Sequence, residues 1–181
     1  PLLVVGYYRK KLPPRLFVAA LIPGAINSIS QIAFTKAHYL IDPGLLTFGL
    51  RAQMVVVAIG AAIMFPLERM AIRKPSFLAG LALVILGTAG TIAFDEGFGS
   101  NANTVGVLLA LAAGSGFACY ALAVRKCMVG INSMYAFAAI SQYTAGSMIV
   151  LMLIFGERSG ITAIEMPMDK IIWLLVSSVI G

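Results

Sequence analysis

GLLTFGLRAQMVVVAIGAAIMF, residues 44–65, is an almost unbroken apolar run held between Pro43 and Pro66. At the rise of an α-helix such a run extends roughly 33 Å, enough to cross the ~30 Å hydrocarbon core of a bilayer. A membrane-spanning strand is shorter, about ten residues, and alternates between apolar and polar positions. Residues 44–65 do neither, so the stretch reads as a transmembrane helix interrupted by one charge, Arg51.

Outward from it, residues 16–37, 76–94, 104–124 and 133–155 form further apolar runs of similar length, separated by short polar connectors. Hydrophobic residues make up 60% of the chain and charged residues 11%, with a mean hydropathy of +0.97. A soluble domain carries about a quarter charged residues. The outer surface therefore faces lipid, and the expected fold is an all-α integral membrane bundle. Pro14 suits the start of the first crossing, and Pro23 inside it predicts a kink. Residues 1–8 read as the tail of an earlier crossing, and the run from Ile171 as the start of a later one, so a piece of a longer protein is expected. Cys119 and Cys127 lie roughly 12 Å apart along one helix, too far for a disulfide.

The formal charge of +6 does not point to nucleic acid, because the basic residues sit in connectors and no basic–aromatic stripe accompanies them. Connectors before the first crossing, after the second and after the fourth carry Arg9, Lys10, Lys11, Arg15, Arg69, Arg73, Lys74, Arg125 and Lys126 against one acid, Glu68. The opposite set carries Lys36, Arg158 and Lys170 against Asp42, Asp95, Glu96, Glu157, Glu165 and Asp169. Nine basic residues against three in short loops places the first set in the cytoplasm.

Few side chains in the crossings can carry chemistry. Arg51 costs about 2.5–3.5 kcal/mol near the middle of a helix. It either faces an internal cavity, where it holds an anionic substrate group or pairs with a carboxylate, or snorkels to the outer interface. Asn27, Gln31 and Thr35 recur every fourth residue on the first crossing, with Ser30 and His38 on the adjacent ridge. Buried amides there bind a polar ligand or join helices by hydrogen bonds. His38, near the outer end beside Tyr39, reads as interfacial. Ser141, Gln142, Tyr143 and Ser147 lie on the fifth crossing, with Gln142 at mid-depth as a further candidate ligand contact; Tyr120 on the fourth faces either a cavity or the interface. Gly80, Gly87 and Gly90 share a face of the third crossing, and Gly106, Ala110, Gly114 and Ala118 form a small-residue ladder on the fourth. Such faces let backbones approach closely, within a bundle or across a homodimer contact. Glu68 reads as the end of the second crossing, where an acid opposes the helix dipole unless Arg69 compensates.

Residues 27–90, NSISQIAFTKAHYLIDPGLLTFGLRAQMVVVAIGAAIMFPLERMAIRKPSFLAGLALVILGTAG, resemble the EamA-like branch of the drug/metabolite transporter superfamily. The likeness lies in the order of parts: a helix closing in a short outer loop, a crossing ending in the pair Glu68–Arg69, then a helix that is glycine-bearing at both ends. Residues 104–126, TVGVLLALAAGSGFACYALAVRK, resemble the first helix of that family's second repeat. The resemblance implies ten helices in two inverted five-helix repeats. Residues 1–98 would belong to the first repeat, from the end of helix two, and 99–181 to the second, up to the start of helix eight. It implies a secondary transporter, expected to export a small polar metabolite by alternating access, without a cofactor, in a bacterial inner membrane. Inverted repeats place the substrate at the bilayer midplane, so the first and second crossings would line it with Asn27, Gln31 and Arg51. No acid lies within a crossing, which leaves proton coupling through a membrane carboxylate without support.

Two other classes are weaker. An intramembrane enzyme needs a nucleophile or metal cluster, and the chain has no HExxH, no GxSxG, no aspartate pair and a single histidine. A non-transporting scaffold or partner protein would need loops to bind with, and the longest, near 156–169, is short.

Overall fold

The computed structural model describes residues 13–94, 101–155 and 167–180, and all regular structure among these is helical. In chain order the helices are α1 (Leu16–His38), α2 (Pro43–Leu50), α3 (Ala52–Met64), the short α4 (Arg69–Ile72), α5 (Pro75–Ala93), α6 (Asn101–Cys127), α7 (Ser133–Phe155) and α8 (Met168–Ile180). Leu16–His38, Pro43–Met64, Thr104–Cys127 and Ser133–Phe155 are long and apolar enough to cross a membrane, and Pro75–Thr91 is a shorter apolar helix. The chain is thus a helical membrane protein. Its exterior agrees: Val18, Ile22 and Ile29 on α1 and Leu83 and Leu86 on α5 are large, apolar and exposed, a surface that water would not tolerate on this scale. The expected crossing tail at 1–8, the charges Arg9, Lys10, Lys11, Asp95 and Glu96, and the connector at 156–166 lie outside the described residues.

Two compact units divide the chain, Pro1–Thr144 and Ala145–Gly181. In the first, α6 packs against α1, α2 and α3. Its N-terminal end, at Gly106, meets Leu40 and Ile41 just past α1, whereas Met128, just past its C-terminal end, clusters with Leu16 and Ala20 at the start of α1. The two helices are therefore antiparallel. Gly49 faces Ala110 and Gly60 faces Leu122, so α2 and α3 run alongside α6 in the same direction. Ala136 and Ile140 of α7 join the Leu16 cluster, and Tyr143 meets Gly24 further along, so this part of α7 runs parallel to α1. These directions bring the connectors holding Arg15, Arg69 and Arg125 to one end of the unit, the arrangement the alternating charges predict.

The fourth-crossing ladder is internal to this unit. Gly106, Ala110, Gly114 and Ala118 are all buried, and a Cβ on Gly114 would stand 2.9 Å from the Leu50 carbonyl oxygen. By contrast Gly80, Gly87 and Gly90 of α5 have nothing within 4 Å of an added Cβ.

The second crossing departs from the single helix expected. It divides at Arg51, where the Arg51 N–H reaches back three residues to the Phe48 carbonyl at 3.0 Å and Met54 does the same to Arg51 at 3.0 Å. That tightening is a 3₁₀-type step between two α-helical pieces. The crossing then ends at Met64, within one residue of the expected bound, because Pro66 disfavours helical backbone in Phe65 (φ −125°, ψ 90°). Glu68 therefore does not close the crossing; it belongs to a separate 3₁₀ turn, Pro66–Glu68. Arg69 folds back instead, its Nε donating to the Ala62 carbonyl at 2.7 Å, and supplies one of the orphan carbonyls of the helix end with a donor. Beside it the Arg125 guanidinium lies 4.2 Å over the Phe65 ring. The first crossing is helical straight through Pro23, which is buried.

The buried serines of α1 are satisfied by their own backbone. Ser28 donates to the Gly24 carbonyl (2.9 Å) and Ser30 to that of Ile26 (2.8 Å), a bond that lets a small polar residue stay in an apolar helix. Among the described residues no buried side-chain N or O lacks a partner. Cys119 and Cys127 are free thiols. The second unit holds the end of α7 and α8, whose first turn carries Asp169, a favourable place for an acid.

Candidate functional site

A cleft of about 1120 Å³ opens between the broken second crossing and α5. Its one wall follows from helical spacing: Thr47, Leu50, Met54, Val57 and Ala61 recur every three or four residues on one face of α2 and α3. The opposite face carries Leu45, Leu46 and Gly49 into the core around α6. The other wall is α5 with Ser76, Phe77, Gly80, Leu81 and Val84. The chain reverses between them through the Pro66–Glu68 turn and α4, which sets Ser76 near the end that carries the basic connectors and Val84 toward Arg51.

Arg51 and Gln53 stand on the two flanks of this face, at the break itself. Arg51 is exposed into the cleft side, and among the described residues no acid or hydrogen-bond acceptor pairs with it. Thr47 uses its hydroxyl proton on the Pro43 carbonyl at 2.8 Å, so Arg51, Gln53 and Ser76 are the donors the cleft offers. The remaining lining is apolar. Arg51 lies eight residues from Pro43, about 12 Å along the helix and close to mid-bilayer. A cation at that depth draws an anion, a polar counter-group or water to itself.

The other sequence candidates sit elsewhere. Asn27 Nδ2 donates to Thr144 Oγ1 at 2.9 Å, and Thr144 in turn donates to the Ile140 carbonyl at 3.1 Å, a tie between α1 and α7. Ser30, on the adjacent ridge, is buried against Gly116 of α6. Gln31 is half-buried on α1 and Gln142 is exposed on α7. Thr35 bonds back to the Gln31 carbonyl (2.8 Å), and His38 is exposed near Phe34. Of Asn27, Gln31, Arg51 and Gln142, Arg51 alone lines this cleft. Sequence reading passed over Gln53, Ser76 and Thr144. The signal for Gln53 was its place two residues from Arg51 in the same crossing. Thr144 stands 117 positions from Asn27, and no local pattern links them.

The Asn27–Thr144 bond gives a measurable coupling. A double-mutant cycle with Asn27→Ala and Thr144→Val, read by unfolding in detergent, is expected to yield about 0.6 kcal/mol and no more than about 1.7 kcal/mol, the range for hydrogen bonds between membrane helices. Additive losses would mean the two side chains do not meet.

No protein-family model, curated protein or solved structure matches this chain.

Proposed function

We propose that this protein is a secondary transporter of the EamA-like branch of the drug/metabolite transporter superfamily, exporting a small metabolite with a carboxylate or phosphate across a bacterial inner membrane by alternating access. In that reading the crossings divide into two inverted repeats meeting near residue 98. The observation that carries it is Arg51, a cation near mid-bilayer at a break in a crossing helix, lining a cleft and unpaired among the described residues. Broken helices bordering a cavity are the common way for transporters to present polar groups and backbone to a substrate inside the membrane. Gln53 is the second donor of the proposed site. Asn27 is committed to Thr144, and Gln31 and Gln142 lie outside the cleft.

The test is counterflow in proteoliposomes across a panel of anionic and zwitterionic metabolites, with Arg51→Gln and Arg51→Lys alongside. Saturable exchange of an anionic substrate is expected, lost in Arg51→Gln and partly retained in Arg51→Lys. Equal exchange by Arg51→Gln would remove the residue from the pathway. Failure of every substrate would leave a helical membrane protein without carrier activity.

A further inference from the structure

The cleft is long: its charged and amide donors are confined to one part of it, and the far end offers only the Ser76 hydroxyl. From Thr47 to Ala61 it follows roughly 21 Å of helix, about two-thirds of the hydrocarbon thickness. Its donors on the second crossing, Arg51 and Gln53, lie in the outer half. Beyond them toward the cytoplasmic end the wall is Val57, Ala58 and Ala61, facing Gly80 across the cleft. A fully polar metabolite bound at Arg51 would leave that apolar length unfilled. An amphiphile matches it: an anionic head at the break and a chain running along the apolar wall. Gly80 borders open space, where an added Cβ would meet nothing within 4 Å.

We infer that the cleft binds an amphiphilic anion, a carboxylate or phosphate headgroup on an extended apolar chain, with the head on Arg51 and Gln53 and the chain between α3 and α5. The inference rests on the reading of the Arg51 cleft as the substrate site and narrows its ligand. The same chemistry comes from a free fatty-acid-like molecule or from an anionic bilayer lipid.

The test uses the protein and its Arg51→Gln variant in phosphatidylcholine nanodiscs with radiolabelled dodecanoate as the probe, and subtracts the uptake of protein-free discs of the same lipid, which cancels partition into lipid. Saturable Arg51-dependent binding is expected, weakened about tenfold or more by the Gln substitution, as for loss of a charge-assisted contact, and kept by Arg51→Lys. Dodecyltrimethylammonium should not compete, and butyrate should compete at least about tenfold less well, since it lacks the buried chain. Gly80→Leu, which fills the cleft, should shift selectivity from dodecanoate toward butyrate. Competition by phosphatidylglycerol added to the discs identifies a bilayer lipid as the source; its absence identifies a free amphiphile. Butyrate binding as tightly as dodecanoate in an Arg51-dependent manner overturns the inference and leaves an anion carrier standing. Arg51-dependent dodecanoate binding with no counterflow of any anion does the reverse. No Arg51-dependent binding of either probe overturns both.

Discussion

Gly114→Val is expected to cost about 3 kcal/mol. A Cβ at this position would sit 2.9 Å from the Leu50 carbonyl oxygen and 3.3 Å from that of Gly49. Both neighbours are main chain, which cannot rotate aside as a side-chain tip does. Overpacking of a tight site costs about 1–3 kcal/mol, and here the contact also joins the central helix α6 to the break in the second crossing. Helices in lipid associate through such close packing, because burial of apolar surface supplies little drive there. Gly80→Val is the control: it makes the same change of residue in a helix, but at a position with open space around it. Thermal unfolding of the two variants in one detergent separates local propensity, common to both, from the interhelical contact. Equal midpoints would show that α6 does not approach Leu50 as described.

Much of this arrangement was legible in the sequence because the bilayer allows so few solutions. Apolar length gave the crossings, and the alternation of basic and acidic connectors gave their directions, which α6 bears out by running against α1 and along α2 and α3. The ladder Gly106, Ala110, Gly114 and Ala118 announced a close helix contact without naming the partner. What escaped was tertiary. The break at Arg51 has neither proline nor glycine at the residue itself; a 3₁₀ step there lies beside the point where Gly114 approaches the Leu50 carbonyl, a neighbour more than sixty positions away. Glu68 fails to close the second crossing for a local reason: Pro66 acts on Phe65, so Glu68 falls in a 3₁₀ turn and Arg69, opening α4, reaches back to the Ala62 carbonyl. Of the candidate site, Arg51 was visible as a charge where none is cheap. Asn27 carried two readings on sequence alone, and its bond to Thr144 follows from packing of α7 on α1 that no periodicity encodes.

Arg51→Leu is expected to abolish transport while making the protein more stable. On insertion scales an arginine at helix centre is unfavourable by about 2.5–3.5 kcal/mol and a leucine favourable by about 0.3–0.6 kcal/mol. Arg51 pairs with no acid among the described residues, so its removal breaks no ion pair there. Arg51 is exposed and lies somewhat outward of the midplane, which reduces the gain to about 1–2 kcal/mol. A residue kept at a cost to stability, in a place where leucine would fit, is the pattern of a site held for a ligand. The three readings of Arg51 then separate on two measurements, unfolding in detergent and counterflow in liposomes. A site residue gives higher stability with transport lost. A residue whose guanidinium snorkels to the interface gives nearly unchanged stability with transport retained. A structural cation gives a fall of several kcal/mol, as when one partner of a buried pair is removed, and its acid would then lie among Asp95, Glu96, Glu157 and Glu165, outside the described residues.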